Sequence, residues 1–259
     1  MKEFFGFGGY TRPIEGYMSW QHLLFVSILM AAMICSAVII GRKNKDKSDS
    51  QKNRVLIFTA ILIDSLELFK IVLLCFRCED AMHWVYELPL FLCSIQLIAI
   101  PIAAFSKGRL KESALDFVFI FGILGAVFGT YFAGNNYASY PVLSFDNVIS
   151  GLTHSISGFA SLYIGISRLA SMKRKNMPIT FCILISFCVA AAIANIFTNC
   201  NYMFLLRGDG TPYDICYNIV NGNPVLYALF VVGLFILYIA VFYLVYFYVQ
   251  KKLQKPENI

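Results

Sequence analysis

The sequence predicts an all-α polytopic membrane protein, a single bundle of seven transmembrane helices occupying residues 1–259. Three observations lead there. The 259 residues are 59% hydrophobic and 14% charged, against roughly 45–50% apolar content in soluble domains. The mean hydropathy is +0.69. Apolar stretches of about 20 residues recur, the length a helix needs to cross a hydrocarbon core of ~30 Å.

Taken in order, the spans are expected near Trp20 to Gly41, Val55 to Phe76, Leu88 to Phe105, Leu115 to Ala133, Asn147 to Leu169, Pro178 to Asn199 and Pro224 to Val249, read on hydropathy over a window of helical length. The segment before Trp20 is aromatic, Gly-rich and mixed in charge, and the first apolar run is too long for a signal peptide, so the N-terminus is expected to stay attached.

The net charge of +6 is distributed by loop. Arg42, Lys43, Lys45, Lys47, Lys52 and Arg54 lie in the first connection; Lys107, Arg109 and Lys111 in the third; Arg168, Lys173, Arg174 and Lys175 in the fifth; Lys251, Lys252 and Lys255 in the C-terminal tail. Only Lys2, Arg12, Arg77 and Arg207 fall on the opposite side. This alternation is the positive-inside pattern and predicts N-out, C-in. Trp20, Trp84, Tyr86, Tyr131 and Tyr227 sit at the expected outer boundary as an aromatic belt. The basic excess is thus topological, and no nucleic acid is expected as a partner. No internal repeat or even number of spans argues for a duplicated transporter, and no loop is long enough for a soluble domain.

The chemistry must therefore lie among the helices, where a charge costs a few kcal/mol unless it is paired or wet. Asp64, Glu67 and Lys70 on the second span are spaced by three, on one face. They form either a structural Glu67/Lys70 ion pair or the wall of a polar cavity. On the third span, Pro89 suits a helix's first turn, and Pro89, Cys93, Gln96 and Ile100 then share a face. On the fifth, Asn147, Gly151, His154, Gly158, Ser161 and Gly165 form a stripe of small residues that lets another helix approach, with His154 in its middle. Asn195, Thr198, Asn199 and Tyr202 share a face at the end of the sixth, as packing amides or as cavity donors.

Depth joins these residues. Cys93 and His154 lie ~8 and ~10 Å below the outer boundary at 1.5 Å per residue. Glu67, Lys70, Asn195 and Asn199 fall in the same outer half, so polar groups from four helices point to one layer, the mark of a cavity open to the outer leaflet. The remaining cysteines leave alternatives open. Cys75 and Cys78 form a C-x-x-C, and Cys200 and Cys216 flank an outer loop, where disulfides are permitted. No tetrahedral ligand spacing exists, so neither a metal nor another cofactor is expected.

The segment Glu87-Leu88-Pro89-Leu90-Phe91-Leu92-Cys93-Ser94-Ile95, the pair Thr153-His154 and the run Asn195-Ile196-Phe197-Thr198-Asn199-Cys200-Asn201-Tyr202-Met203-Phe204-Leu205 together resemble the YwaF family of bacterial integral membrane proteins, which is similar to eukaryotic transmembrane protein 164. The likeness runs from about the second span to the seventh. It implies a bacterial cytoplasmic membrane and membrane phospholipids as partners. The eukaryotic relative is regarded as an acyltransferase that moves fatty acyl chains between phospholipids with a Cys nucleophile and a His, roles that fall by motif on Cys93 and His154. The resemblance fits the residues: an imidazole that removes a thiol's proton makes the sulfur a useful acyl acceptor. Asn195, Asn199 or Gln96 would then donate to an oxyanion, and Lys70 would meet a phosphate.

Two functions follow from these residues. The first is a lipid acyltransferase or thioester-forming lipid hydrolase built on Cys93 and His154. The second is a non-enzymatic lipid-binding sensor, carrier or partner subunit. Ion or solute transport along Asp64, Glu67 and Lys70 is a third.

Overall fold

The computed structural model describes residues 2–170 and 172–253, and among them every regular element is helical. Helix α1 (Trp20–Asn44) starts where the Ser19 hydroxyl accepts the His22 amide at 3.2 Å, and α2 (Asp49–Arg77) starts at a capping box of Ser48 and Gln51, each satisfying amides that the first turn leaves free. Next come α3 (Gln96–Phe105), α4 (Gly108–Tyr131), the short α5 (Gly134–Ser139) and α6 (Phe145–Ile166), which Ser144 caps. Then follow α7 (Met177–Thr198), with Pro178 in its first turn, the short α8 (Tyr213–Ile219) and α9 (Pro224–Leu253).

Among the described residues, four stretches are long and apolar enough to cross a membrane: Trp20–Asn44, Gly108–Ser139, Arg174–Thr198 and Pro224–Lys252. The chain is an all-helical integral membrane protein. Helices α2 and α6 have comparable length, with 29 and 22 residues, and carry polar side chains along their middles.

The expected third helix differs. Its first eight residues, Leu88 to Ile95, are not α-helical, and α3 has only ten residues, ~15 Å of rise. Leu88 is extended, with φ −58° and ψ 140°, because the ring of Pro89 disfavours a helical residue before it. The Ser94 hydroxyl then accepts the Phe91 amide at 3.0 Å and donates to the Phe91 carbonyl at 3.2 Å, a local alternative to helical pairing. Pro89 and Cys93 consequently leave the helical face expected of them. Cys93 sits in the turn that enters α3, and Gln96 is the first residue of that helix.

The chain divides into two compact units, Met1–Ser171 with α1–α6 and Met172–Ile259 with α7–α9. In the first, the small residues of α6 do let neighbours approach. Added Cβ atoms would stand 2.3 Å from Met33 Sδ at Gly158, 2.7 Å from Leu29 Cδ1 at Gly151 and 2.6 Å from Phe119 Cε2 at Gly165. The Ser161 hydroxyl donates to the Phe119 carbonyl at 2.8 Å, tying α6 to α4.

The N-terminal segment of this unit binds the connection before α6. Phe145 N donates to the Phe4 carbonyl at 2.9 Å and Val142 N to Glu15 Oε2 at 2.8 Å. Phe5 packs with Leu66, Leu73, Phe145 and Ile149. Arg77, at the end of α2, holds Asp146 of α6, and the Tyr10 hydroxyl also donates to Asp146. Burial, with that carboxylate as the second cause, pushes the Tyr10 hydroxyl up to about 12. In the second unit, the hydroxyls of Thr180 on α7 and Tyr243 on α9 pair at 3.1 Å.

Candidate active site

A small polar cavity of about 70 Å³ opens between α2, the turn before α3, and α6. That is room for a few waters at ~10–15 Å³ each. Ile63, Glu67 and Lys70 supply one wall, Cys93, Ser94 and Leu97 the second, and Ser150, Thr153 and His154 the third.

Cys93 and His154 line this cavity from two different elements, the thiol from the turn before α3 and the imidazole from α6. One side of the ring is fixed: Nδ1 lies 2.7 Å from the Ser150 carbonyl, one turn earlier on α6. A carbonyl only accepts, so Nδ1 carries a proton, and in the neutral ring Nε2 keeps its lone pair. Nε2 of the neutral ring is the nitrogen able to accept a thiol proton, the role a general base requires. The Thr153 hydroxyl donates to the same Ser150 carbonyl at 3.0 Å.

Lys70 faces the cavity but is not a free cation. Its ammonium lies 2.6 Å from Glu67 and 3.1 Å from Glu87, and Glu87 in turn lies 3.8 Å from His83 Nε2. Both readings of the α2 polar face therefore hold together, for Glu67 and Lys70 are an ion pair and also the cavity wall. Glu87 was not singled out by spacing, because it reaches Lys70 from a 3₁₀ turn, His83–Glu87, that follows no helical register.

The other candidates are not among the residues that line the cavity. Asp64 is half-buried one turn back on α2 and does not line it. Gln96 is fully buried, and both ends of its amide are without a partner among the described residues. Asn195, Asn199 and Tyr202 belong to the second unit. There the Asn195 amide is used twice on one residue, donating to the Tyr202 carbonyl at 3.1 Å and accepting the Tyr202 amide at 2.7 Å. Asn199 closes α7 in the left-handed region with φ 55°, a conformation asparagine tolerates better than most residues. Cys75, Cys78, Cys200 and Cys216 are all free thiols.

Comparison with known proteins gives one family: the model of the TMEM164 family matches residues 17–246. No curated protein and no solved structure matches the chain.

Proposed function

The chain belongs to the TMEM164 family, and from that membership we propose that it is a membrane-embedded lipid acyltransferase, or a thioester-forming lipid hydrolase, with Cys93 as nucleophile and His154 as base. The cavity that Cys93 and His154 share carries this reading, because it puts an acyl acceptor beside the group that would activate it. Phospholipids of a bacterial cytoplasmic membrane are the substrates in this account.

The proposed steps balance as follows. His154 Nε2 takes the thiol proton while Sγ attacks the ester carbonyl carbon. The ester C–O bond breaks, the imidazolium returns the proton to the departing oxygen, and a thioester remains on Cys93. A hydroxyl of a second lipid, or of water, then gives its proton to His154 and attacks the thioester, releasing the acyl group and restoring the thiol. Lys70, bound by Glu67 and Glu87, serves as part of a neutralised polar wall rather than as an open phosphate site.

The proposed topology is seven crossings, N-out and C-in, with the third made of the irregular turn and α3 together. Non-helical backbone is tolerated at membrane depth where it lines a cavity, and residues 93 and 94 line one. The cavity then opens to the outer leaflet, from which an acyl ester enters sideways.

Purified protein reconstituted with a phospholipid donor tests the reading by mass spectrometry of Cys93. An acyl thioester is expected in the wild type, none in Cys93→Ser, and accumulation slowed ~10²–10⁴-fold in His154→Ala, the usual worth of a general base. Equal lipid binding by all three with no thioester would favour the non-enzymatic lipid binder instead.

A further inference from the structure

Helix α4 contributes no side chain to the cavity wall, yet it touches both members of the dyad. A Cβ built on Gly129 would lie 1.6 Å from His154 Cδ2 and 1.9 Å from Nε2, so the imidazole rests directly on the backbone of α4. One turn earlier, a Cβ on Gly125 would stand 3.3 Å from Cys93 Cα and 3.5 Å from its Cβ. Residues 125 and 129 are four apart and share a face of the helix.

The backbone does not explain the glycine at 129. It lies inside α4 and is not in the left-handed region, and a helical glycine is less stable than alanine at such a place. What the position requires is space, and the ring of His154 occupies it. With Nδ1 tethered to Ser150 on one side and Gly129 behind the Nε2 edge, the ring has a fixed seat on the cavity that Cys93 also lines.

We infer that Gly129 is a positioning residue, whose missing side chain sets the His154 ring within hydrogen-bond reach of Cys93. The inference rests on the dyad reading above. Any side chain at 129 displaces the ring, and since Cys93 is itself seated one turn away on the same helix, the thiol cannot follow.

The test uses the full-length protein with the other cysteines replaced and follows the alkylation rate of Cys93 as a function of pH. Wild type and His154→Ala should give different profiles, and Gly129→Ala should reproduce the His154→Ala profile with acyl-thioester formation slowed by the same ~10²–10⁴-fold. Gly165→Ala is the folding control: it crowds the same pair of helices at Phe119, whose ring can turn away, and should keep the wild-type profile.

A wild-type profile in Gly129→Ala would overturn the positioning role while leaving the dyad in place. Identical profiles for wild type and His154→Ala would overturn the dyad, and the positioning role with it. Should Gly129→Ala accumulate poorly, the double variant Gly129→Ala/His154→Ala decides, because removing the ring makes room for the new methyl. Its yield and thermal midpoint should return toward those of His154→Ala, and no recovery would overturn the proposed seat.

Discussion

Arg77 grips Asp146 with both arms of its guanidinium, at 2.7 and 2.8 Å, joining the end of α2 to the start of α6. The side chains are only 13% and 12% exposed, so the pair is screened less than a surface salt bridge. It holds together the two helices that carry Glu67 and Lys70 on one side of the cavity and His154 on the other. Arg77→Ala leaves Asp146, in a mostly buried place, with the Tyr10 hydroxyl but without its cation and should cost about 3 kcal/mol, whereas Arg77→Lys, which keeps the charge but not the fork, should cost less. Thermal unfolding of the two variants and of Arg77→Ala/Asp146→Ala in detergent checks this. The double variant should lose less than the two single losses combined.

Tyr10 gives the same clasp a pH dependence of stated sign. Its folded value, about 12, lies above the ordinary value of 10, so the folded state favours the protonated hydroxyl. That contribution is complete below pH ~10 and disappears as pH rises through about 12. Tyr10→Phe should lower stability by about 1 kcal/mol at pH 8, discounted for the exposure of this site. The difference between wild type and Tyr10→Phe should shrink as the pH approaches 12, and a constant difference across that range would contradict the assignment.

Lys70 stands between two carboxylates, which makes the three residues unequal. Glu67→Gln leaves the ammonium paired with Glu87, and Glu87→Gln leaves it paired with Glu67. Lys70→Met leaves both carboxylates without their cation. The lysine substitution should therefore cost about 3 kcal/mol and either glutamine substitution about 1 kcal/mol. Thermal midpoints of the three single variants, and of Lys70→Met combined with both glutamines, provide the comparison. Equal losses from the three single changes would mean that Lys70 is not shared.

Sequence and structure agree where a residue acts through its own helix and part company where it acts through backbone elsewhere. Glu67 and Lys70 are three apart on one helix, so periodicity alone placed them together. The stripe around His154 was legible for the same reason, because Gly151, Gly158 and Gly165 recur at helical intervals and each meets a neighbouring side chain. The turn over Leu88–Ile95 was not, for a continuous apolar run carries no period to separate helix from turn, and Pro89 fits either. Glu87 reaches Lys70 from that irregular segment. Gly129 was missed because a glycine in an apolar helix signals nothing until the ring that fills its space is known.

Asn195 shows how a polar residue in a membrane helix is explained by chain many positions away. Both ends of its amide are bound to the backbone of Tyr202, which follows the left-handed turn at Asn199. Asn195→Leu should take its acceptor from the buried Tyr202 amide and leave the Tyr202 carbonyl with the Leu205 amide at 3.3 Å, destabilising the protein by about 1–3 kcal/mol. If the residue is a structural clamp, the folded fraction of Asn195→Leu should form the Cys93 thioester at the wild-type rate. A ~10²-fold or greater loss of rate without loss of stability would instead assign Asn195 to the oxyanion, where one donor is worth ~10²–10³.

The orientation rests on charge, and one exposed loop reads it out. Ala138 on α5 and Lys47 between α1 and α2 are both exposed, and the positive-inside pattern puts them on opposite faces of the membrane. Because Cys35, Cys78 and Cys182 are also exposed, they are replaced first. An impermeant maleimide added to intact cells should then label Ala138→Cys within minutes and leave Lys47→Cys unlabelled until the membrane is opened. Tyr137, next to the labelled site, is buried and packs at a tilt on His22 with ring centroids 3.8 Å apart, which holds α5 in place beside the exposed Ala138. The reverse pattern would place the clasp of Arg77 and Asp146 on the cytoplasmic side, together with the cavity that lies one to two turns below it along α2 and α6, and the acyl donor would then have to come from the inner leaflet.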